Sequence, residues 1–330
     1  MEAWSVNAIL LAFGGGMFGA SLGALWSFCL CGLLTMLGCL VVLGGGSDFL
    51  LLQVGLGPIF GPHTGGFVAG VVAATYAAAL RKNHPSGAAK DILSPLVDTS
   101  WDVLVVGGLS AVFGLLIVPL LGRVPLIREF DLLALSICIN IWLARLLFQK
   151  EMPWGNMDSI RQHGWLGTDG YAISWVGWMS PPSRLLAIGA GMGLLSGGVA
   201  MGFREYLAPL AAQGMVSESA AFVAPLIFCW GFSAVMLTML NFGQATIQKA
   251  PVTHCMAIMG AWGYLQSGSL VVAMVFGIGG AFIEELTARM FYNHGSNHLD
   301  PPAAGIALST FVMNILFKPE FLNLGGFFNF

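Results

Sequence analysis

Long apolar runs separated by short polar breaks divide this chain into about ten segments. The runs are continuous rather than alternating. A barrel strand facing lipid shows a two-residue period over roughly ten residues, whereas a spanning helix needs roughly twenty apolar residues in a row. The pattern therefore predicts helices over 6–23, 25–45, 51–80, 101–121 and 130–149, then over 184–203, 219–241, 250–267, 269–291 and 302–317. The third run is too long for one simple span and is interrupted at Gly57-Pro58 and Gly61-Pro62. It predicts a short re-entrant piece, then a full helix from about residue 63. Residues 150–183 are more polar and carry Trp154, Trp165, Trp175 and Trp178. Tryptophan favours the headgroup level, so this stretch reads as a linker along the membrane surface. The chain thus divides into a first membrane repeat (1–149), a Trp-rich interfacial linker (150–183) and a second repeat (184–330).

Composition makes the membrane assignment secure. The 330 residues are 57% hydrophobic and 9% charged, with a mean hydropathy of +0.82, against about 25% charged in soluble domains. Net charge is −3 with no basic block, which argues against a nucleic-acid partner. Met1-Glu2-Ala3-Trp4 lacks the positive region of a cleavable signal, so the first helix is expected to serve as targeting signal and structure together. The six cysteines lie in or beside apolar runs, at spacings that imply neither a disulfide framework nor a metal clip.

Two stretches read as copies. Residues 10–17 are Leu-Leu-Ala-Phe-Gly-Gly-Gly-Met and residues 185–192 are Leu-Leu-Ala-Ile-Gly-Ala-Gly-Met. Each opens a four-spaced glycine ladder: Gly15, Gly19 and Gly23, then Gly189, Gly193 and Gly197. Such a ladder lines one helix face and admits another backbone, either within the chain or between copies in a homo-oligomer. The match extends from Val105–Phe113 to Val275–Ile283 and from Phe130-Asp131 to Leu299-Asp300, at offsets between about 169 and 175. Shared Gly, Ala and Leu bias is the competing explanation. Two copies with five helices each must insert in opposite orientation, giving an inverted repeat. Lys and Arg in the loops set which way it faces. Arg81, Lys82, Lys90, Lys150, Arg161, Arg184, Lys249 and Arg289 fall on one side; Arg123, Arg128, Arg204 and Lys318 fall on the other. The richer side belongs in the cytoplasm, which puts both termini outside an inner (plasma) membrane.

The candidate site follows from the helix breaks. Residues 57–66 hold Pro58 and Pro62 among four glycines and cannot continue an undisturbed helix. In a bilayer such backbone is tolerated only against protein or a water-filled cavity. A helix restarting near His63 would aim free N–H groups and its positive end at a solute, with His63 and Thr64 as side-chain donors. The second half offers Pro251, Thr253 and His254 at the matching place in helix order. Paired breaks point to a transport site, although Pro and Thr also mark ordinary helix starts. Glu284 and Glu285 interrupt an apolar run. Glu285 can pair with Arg289 four residues on. Glu284 is the candidate for proton or cation coupling, the alternative being a wet helix end. Arg204-Glu205 reads as an interfacial pair near a helix end, with a gate as the alternative. Asn140, Asn314, Gln244 and Gln266 read as hydrogen-bonding glue between helices. His294, His298 and Asp300 sit in a loop whose Gly295-Ser296-Asn297 argues for a turn rather than a metal site. No phosphate-binding glycine loop, hydrolase elbow or metalloprotease motif is present, so no cofactor and no enzymatic activity are expected.

Gly61-Pro-His-Thr-Gly-Gly-Phe-Val-Ala-Gly-Val-Val-Ala-Ala-Thr-Tyr76, with Phe18-Gly-Ala-Ser-Leu-Gly-Ala24, resembles uncharacterised multi-pass prokaryotic proteins labelled permease-like. The resemblance covers mostly the first half and implies a membrane location. The expectation is an all-helical membrane protein that passes a small polar or anionic solute between two inverted repeats. A non-conducting homo-oligomeric scaffold is the alternative.

Overall fold

A computed structural model describes residues 2–241 and 249–322. Gln244 lies outside these. The described residues form eleven α-helices and no β-strand. They are α1 (Val6–Leu22), α2 (Ala24–Leu43), α3 (Val68–Tyr76), α4 (Trp101–Leu121), α5 (Leu132–Ala144), α6 (Met157–His163), α7 (Pro182–Ala212), α8 (Glu218–Met236), α9 (His254–Ser267), α10 (Leu270–Thr287) and α11 (Pro301–Phe317). Wide π turns at Ala77–Arg81, Arg145–Gln149 and Ala288–Tyr292 extend α3, α5 and α10.

Each of the ten expected segments contains a helix. Six are long and apolar enough to cross a membrane: α2, α4, α5 with its extension, α7, α8 continued to Leu240, and α10 with its extension. Helix α1 (17 residues), Val68–Arg81 (14 residues) and α11 (17 residues) are apolar but shorter. The outward faces of α1, α2, α4, α7 and α10 carry exposed Leu10, Phe18, Leu33, Leu37, Leu109, Leu195 and Val275, as lipid contact requires.

Local chemistry sets the helix ends. Ser5, Asp131, Ser217, Ser269 and Asp300 each accept a hydrogen bond from the backbone N–H three residues on, capping α1, α5, α8, α10 and α11. Helix α7 runs nine residues past its expected end at 203. Arg204 and Glu205 keep it going as exposed helix formers, and it stops before Gly214, which turns at φ +70°.

Helix α3 begins at Val68, not near His63. Pro58 and Pro62 cannot donate to a helix ladder, and the chain from Leu56 to Phe67, buried except at half-buried Leu56 and Ile59, stays irregular. Thr64 Oγ1 reinforces the bend by donating to the Gly57 and Gly61 carbonyls.

The glycine ladders are engaged within the chain. Gly15 and Gly19 lie against the Ile59 and Gly65 carbonyls of the irregular segment. Gly16 lies against Gly107, Gly108 and Ala111 of α4, and a methyl group on it would come within 2.5 Å of the Ala111 methyl. In the second half Gly189, Gly193 and Gly197 lie against Ala273, Gly277 and Ile278 of α10. Gly107 and Gly277, matched by the sequence copies, are thus both crossing points for the first helix of their half.

Contacts gather the loops at two ends. At one end Gly23 meets Ser94, the Leu25 N–H donates to the Ile92 carbonyl, and Lys90 donates to the Asn293 carbonyl. At the other Ser217 donates to Asp48, Asn314 to the Glu129 carbonyl, and Lys318 pairs with Glu129 at 2.5 Å.

Candidate functional site

A cavity of about 760 Å³ opens between the halves, toward the end occupied by 82–100 and 150–181. Its floor is Phe28 of α2, Phe67 before α3 and His254 at the start of α9. Its walls are Lys90 to Leu93, Tyr171 to Trp178, Tyr292, His298 and Asp300, with Arg184, Lys249 and Val252. The volume falls within the roughly 300–1,000 Å³ usual for small-molecule sites.

Phe28 is the hub of the floor. Its ring centroid lies 5.1 Å from Phe67, 5.1 Å from His254 and 5.4 Å from Trp230. Behind it a small space of about 50 Å³ is lined by Pro62, Asp131, Trp230 and Ile258, and shares Phe28, Phe67, Asp300 and Pro302 with the large cavity. The Phe28 and Phe67 rings stand between the two.

Segment 293–299, apart from exposed Ser296, is buried without being helical, and Arg145 holds it. Arg145 is fully buried. It donates to Asn297 Oδ1 at 2.7 Å, to the Asn297 carbonyl at 3.3 Å, to the Phe291 carbonyl at 2.8 Å and to the Pro153 carbonyl. Glu151 stands 3.6 Å away and itself accepts from Ser296 N and Oγ. This cradle leaves His298 facing the cavity among Phe67, Trp175 and Tyr292, at centroid distances of 6.3, 6.5 and 5.1 Å. His298 Nε2 is 3.6 Å from Asp300 Oδ1. Both ring nitrogens of His298, and both of His254, are buried without a hydrogen-bond partner.

The acidic groups of the cavity are engaged. Asp91 accepts from Leu93 N, Ser94 N and Ser94 Oγ. Burial works to raise its carboxyl, but those bonds and one from Ser86 hold it below its ordinary value. Asp300 Oδ2 accepts from Ala303 N. The basic groups keep donors free. Lys90 Nζ donates to one carbonyl and sits 4.4 Å above the Tyr292 ring. Burial, then the nearby Arg145, pulls its ammonium down to about 8, with Glu151 opposing.

Of the four side chains expected to hold solute, only His254 lines this cavity. Thr253 Oγ1 is tied to Ser233 Oγ at 2.7 Å. Thr64 is engaged in its bend. His63 is buried below Gly114 of α4, with Nδ1 unpartnered. The reason lies in the helix starts: α9 begins at His254 itself, whereas α3 begins five residues after His63. Pro62 reaches the small space, and Pro251 precedes α9.

Glu284 is 1% exposed, so the wet helix end is excluded. Its Oε2 accepts from Cys255 N at 3.2 Å, at the positive end of α9, while Oε1 has no partner. Glu285 pairs with Arg289 at 2.7 Å, as the spacing predicts. Lys90, Trp175, Trp178, Tyr292 and His298 were not among the expected site residues. The only advance signal was the His-x-x-x-His-x-Asp spacing of 294–300, whose two histidines separate. His294 contacts Ser159 Oγ and the Trp165 carbonyl, and only His298 faces the cavity. Among the described residues no group of three or more His, Cys, Asp or Glu is placed to hold a metal.

The chain's sequence matches one family profile over residues 1–159 and 210–327. It belongs to the DUF7973 family, a family of unknown function. The DUF7973 match takes in Phe28, Phe67, Lys90, His254, Tyr292, His298 and Asp300, whereas the wall from Gly170 to Arg184 falls in the gap between its two segments. No curated protein and no solved structure matches the chain.

Proposed function

We propose that this chain is a membrane transporter for a small polar or anionic solute, built as two inverted five-helix repeats with the solute site between them. The observation that carries this reading is the 760 Å³ cavity, which draws its floor from both halves and ends at the interrupted start of α9. The small space that shares Phe28, Phe67, Asp300 and Pro302 with the cavity supports it by adjoining the cavity at those two rings.

Chain direction supports the inverted arrangement. Helix α1 ends where Gly23 meets Ser94, whereas α7 ends near Ser217 and Asp48, at the opposite end. Helix α5 starts beside Glu129 and α11 finishes there, at Asn314 and Lys318. Asp131 and Asp300, matched by sequence, cap α5 and α11 with bonds of 2.8 Å each.

Reconstitution into liposomes tests the function. Uptake of a panel of small anions and polar solutes should exceed that of protein-free vesicles for at least one of them. His254→Leu should cut that uptake at least tenfold while the protein still elutes as a folded species. No flux for any solute, together with unchanged behaviour of the variant, would favour the scaffold instead.

Orientation is tested separately. We place the loops with more Lys and Arg, 82–100 and 150–181, on the cytoplasmic face of the inner membrane, with both termini outside. All six cysteines are buried and free, so background labelling is low. A membrane-impermeant maleimide should reach Lys150→Cys only after the cells are opened, and Arg123→Cys in intact cells. The reverse pattern would invert the assignment.

A further inference from the structure

We infer that the large cavity recognises an organic carboxylate with a flat apolar body, the head taken by Lys90 and His298 and the body laid between Phe28, Phe67 and Trp175. This deepens the transport reading by naming the solute class, and it rests on that reading's site. Sign comes first. The carboxylates at the cavity are partly committed: Asp91 to three donors, Asp300 through Oδ2 to the α11 N-terminus, with its Oδ1 3.6 Å from His298 Nε2. Lys90 has three donors and one carbonyl partner. Arg184 gives one of its five to the Trp178 carbonyl. The three cations of the lining, Lys90, Arg184 and Lys249, outnumber its two carboxylates, Asp91 and Asp300, so the unmet capacity is for an anion.

The second observation is the pair of histidines. His254 and His298 are each at least nine-tenths buried, line the cavity and have no hydrogen-bond partner on either ring nitrogen, Asp300 Oδ1 standing 3.6 Å from His298 Nε2. A buried polar group without a partner costs about 1–3 kcal/mol, which a ligand acceptor removes. In every protonation state at least one imidazole nitrogen donates.

Shape sets the body. A lone inorganic ion leaves most of 760 Å³ unfilled. The floor and one wall are ring faces, with Trp175 6.1 Å from Tyr292 and Phe28 5.1 Å from Phe67. Such walls accept flat apolar groups by offset stacking.

The charge should make binding pH-dependent. Facing Lys90 are Arg145 from the end of α5, Glu151 beyond it, Tyr292 from the end of α10, and neighbouring Asp91. With its ammonium held at about 8, Lys90 is mostly charged at pH 7 and mostly neutral at pH 9.

The test is calorimetric titration of the full chain in phosphatidylcholine nanodiscs with 1-naphthoate, 1-naphthamide, 1-naphthylmethylammonium and acetate. Naphthoate should bind at least tenfold tighter than the other three. Its affinity should fall about tenfold from pH 7 to pH 9 and become flat in Lys90→Met. His298→Ala should weaken it at least tenfold, with His298→Asn, which keeps a donor, in between and serving as the fold control. Equal binding of the amide or the acetate, or tighter binding of the ammonium, overturns the inference. Naphthoate that binds as stated but never crosses a liposome membrane sinks the transport reading alone. Flux of another solute without naphthoate binding sinks the carboxylate assignment alone.

Discussion

Arg145→Ala should unfold far more easily than the parent, by about 3–5 kcal/mol, the usual cost of opening a buried charged network. The side chain is fully buried and joins three separate pieces of chain: the end of α5, Pro153 in the following segment, and residues 291–297. Truncation strands the carbonyls of Pro153, Phe291 and Asn297 and leaves Glu151 without its cation. Lysine should restore little, because one ammonium cannot span acceptors that a planar fork reaches together. Gly295 packs directly on the guanidinium, so Gly295→Ala should mimic part of the loss. Denaturant titration in detergent measures both. If Arg145→Ala matched the parent, residues 293–300 would be held by something other than this cradle.

Much of the helical frame was legible because its signals are local. Ser5, Asp131 and Asp300 each stand where a cap must stand, and prolines 58 and 62 stop a helix wherever they fall. The glycine ladders announced close crossings, although not which backbone each would meet. The cavity was not legible, because its walls are brought together from residues 28, 67, 90, 175, 254, 292 and 298 by tertiary packing alone. Trp175 and Trp178 carry the same half-apolar signature at a headgroup boundary as in a cavity wall. Arg145 lay in an apolar run and showed no carboxylate within four residues; its acceptors lie up to 152 residues away. His63 was paired with His254 by analogy between breaks, and the analogy failed because the two helices restart at different distances from their histidines.

Leucine in place of Gly32 should separate the two halves where they cross most closely. Helices α2 and α8 meet at Gly32 and Gly231, and a methyl group on either would lie 2.9 Å from the other's carbonyl oxygen. In lipid, association of helices rests on such packing rather than on burial from water, so nothing else at this crossing compensates. Overpacking a fitted contact costs about 1–3 kcal/mol, and leucine belongs at the upper end of that range. Alanine at both sites is the more telling variant. Once the helices have moved apart for the first methyl, the second finds room, so the double change should cost clearly less than the two single costs added. The same movement reaches the cavity. Phe28 lies one turn before Gly32 and Trp230 is next to Gly231, so parting the helices opens their 5.4 Å contact and shifts the floor on which His254 rests. Uptake should therefore fall in Gly231→Ala even where the protein remains folded, while Gly191→Ala, which faces open space on α7, leaves it intact. Additive costs with unchanged uptake would mean that the crossing is mere packing and that Phe28 answers to some other contact.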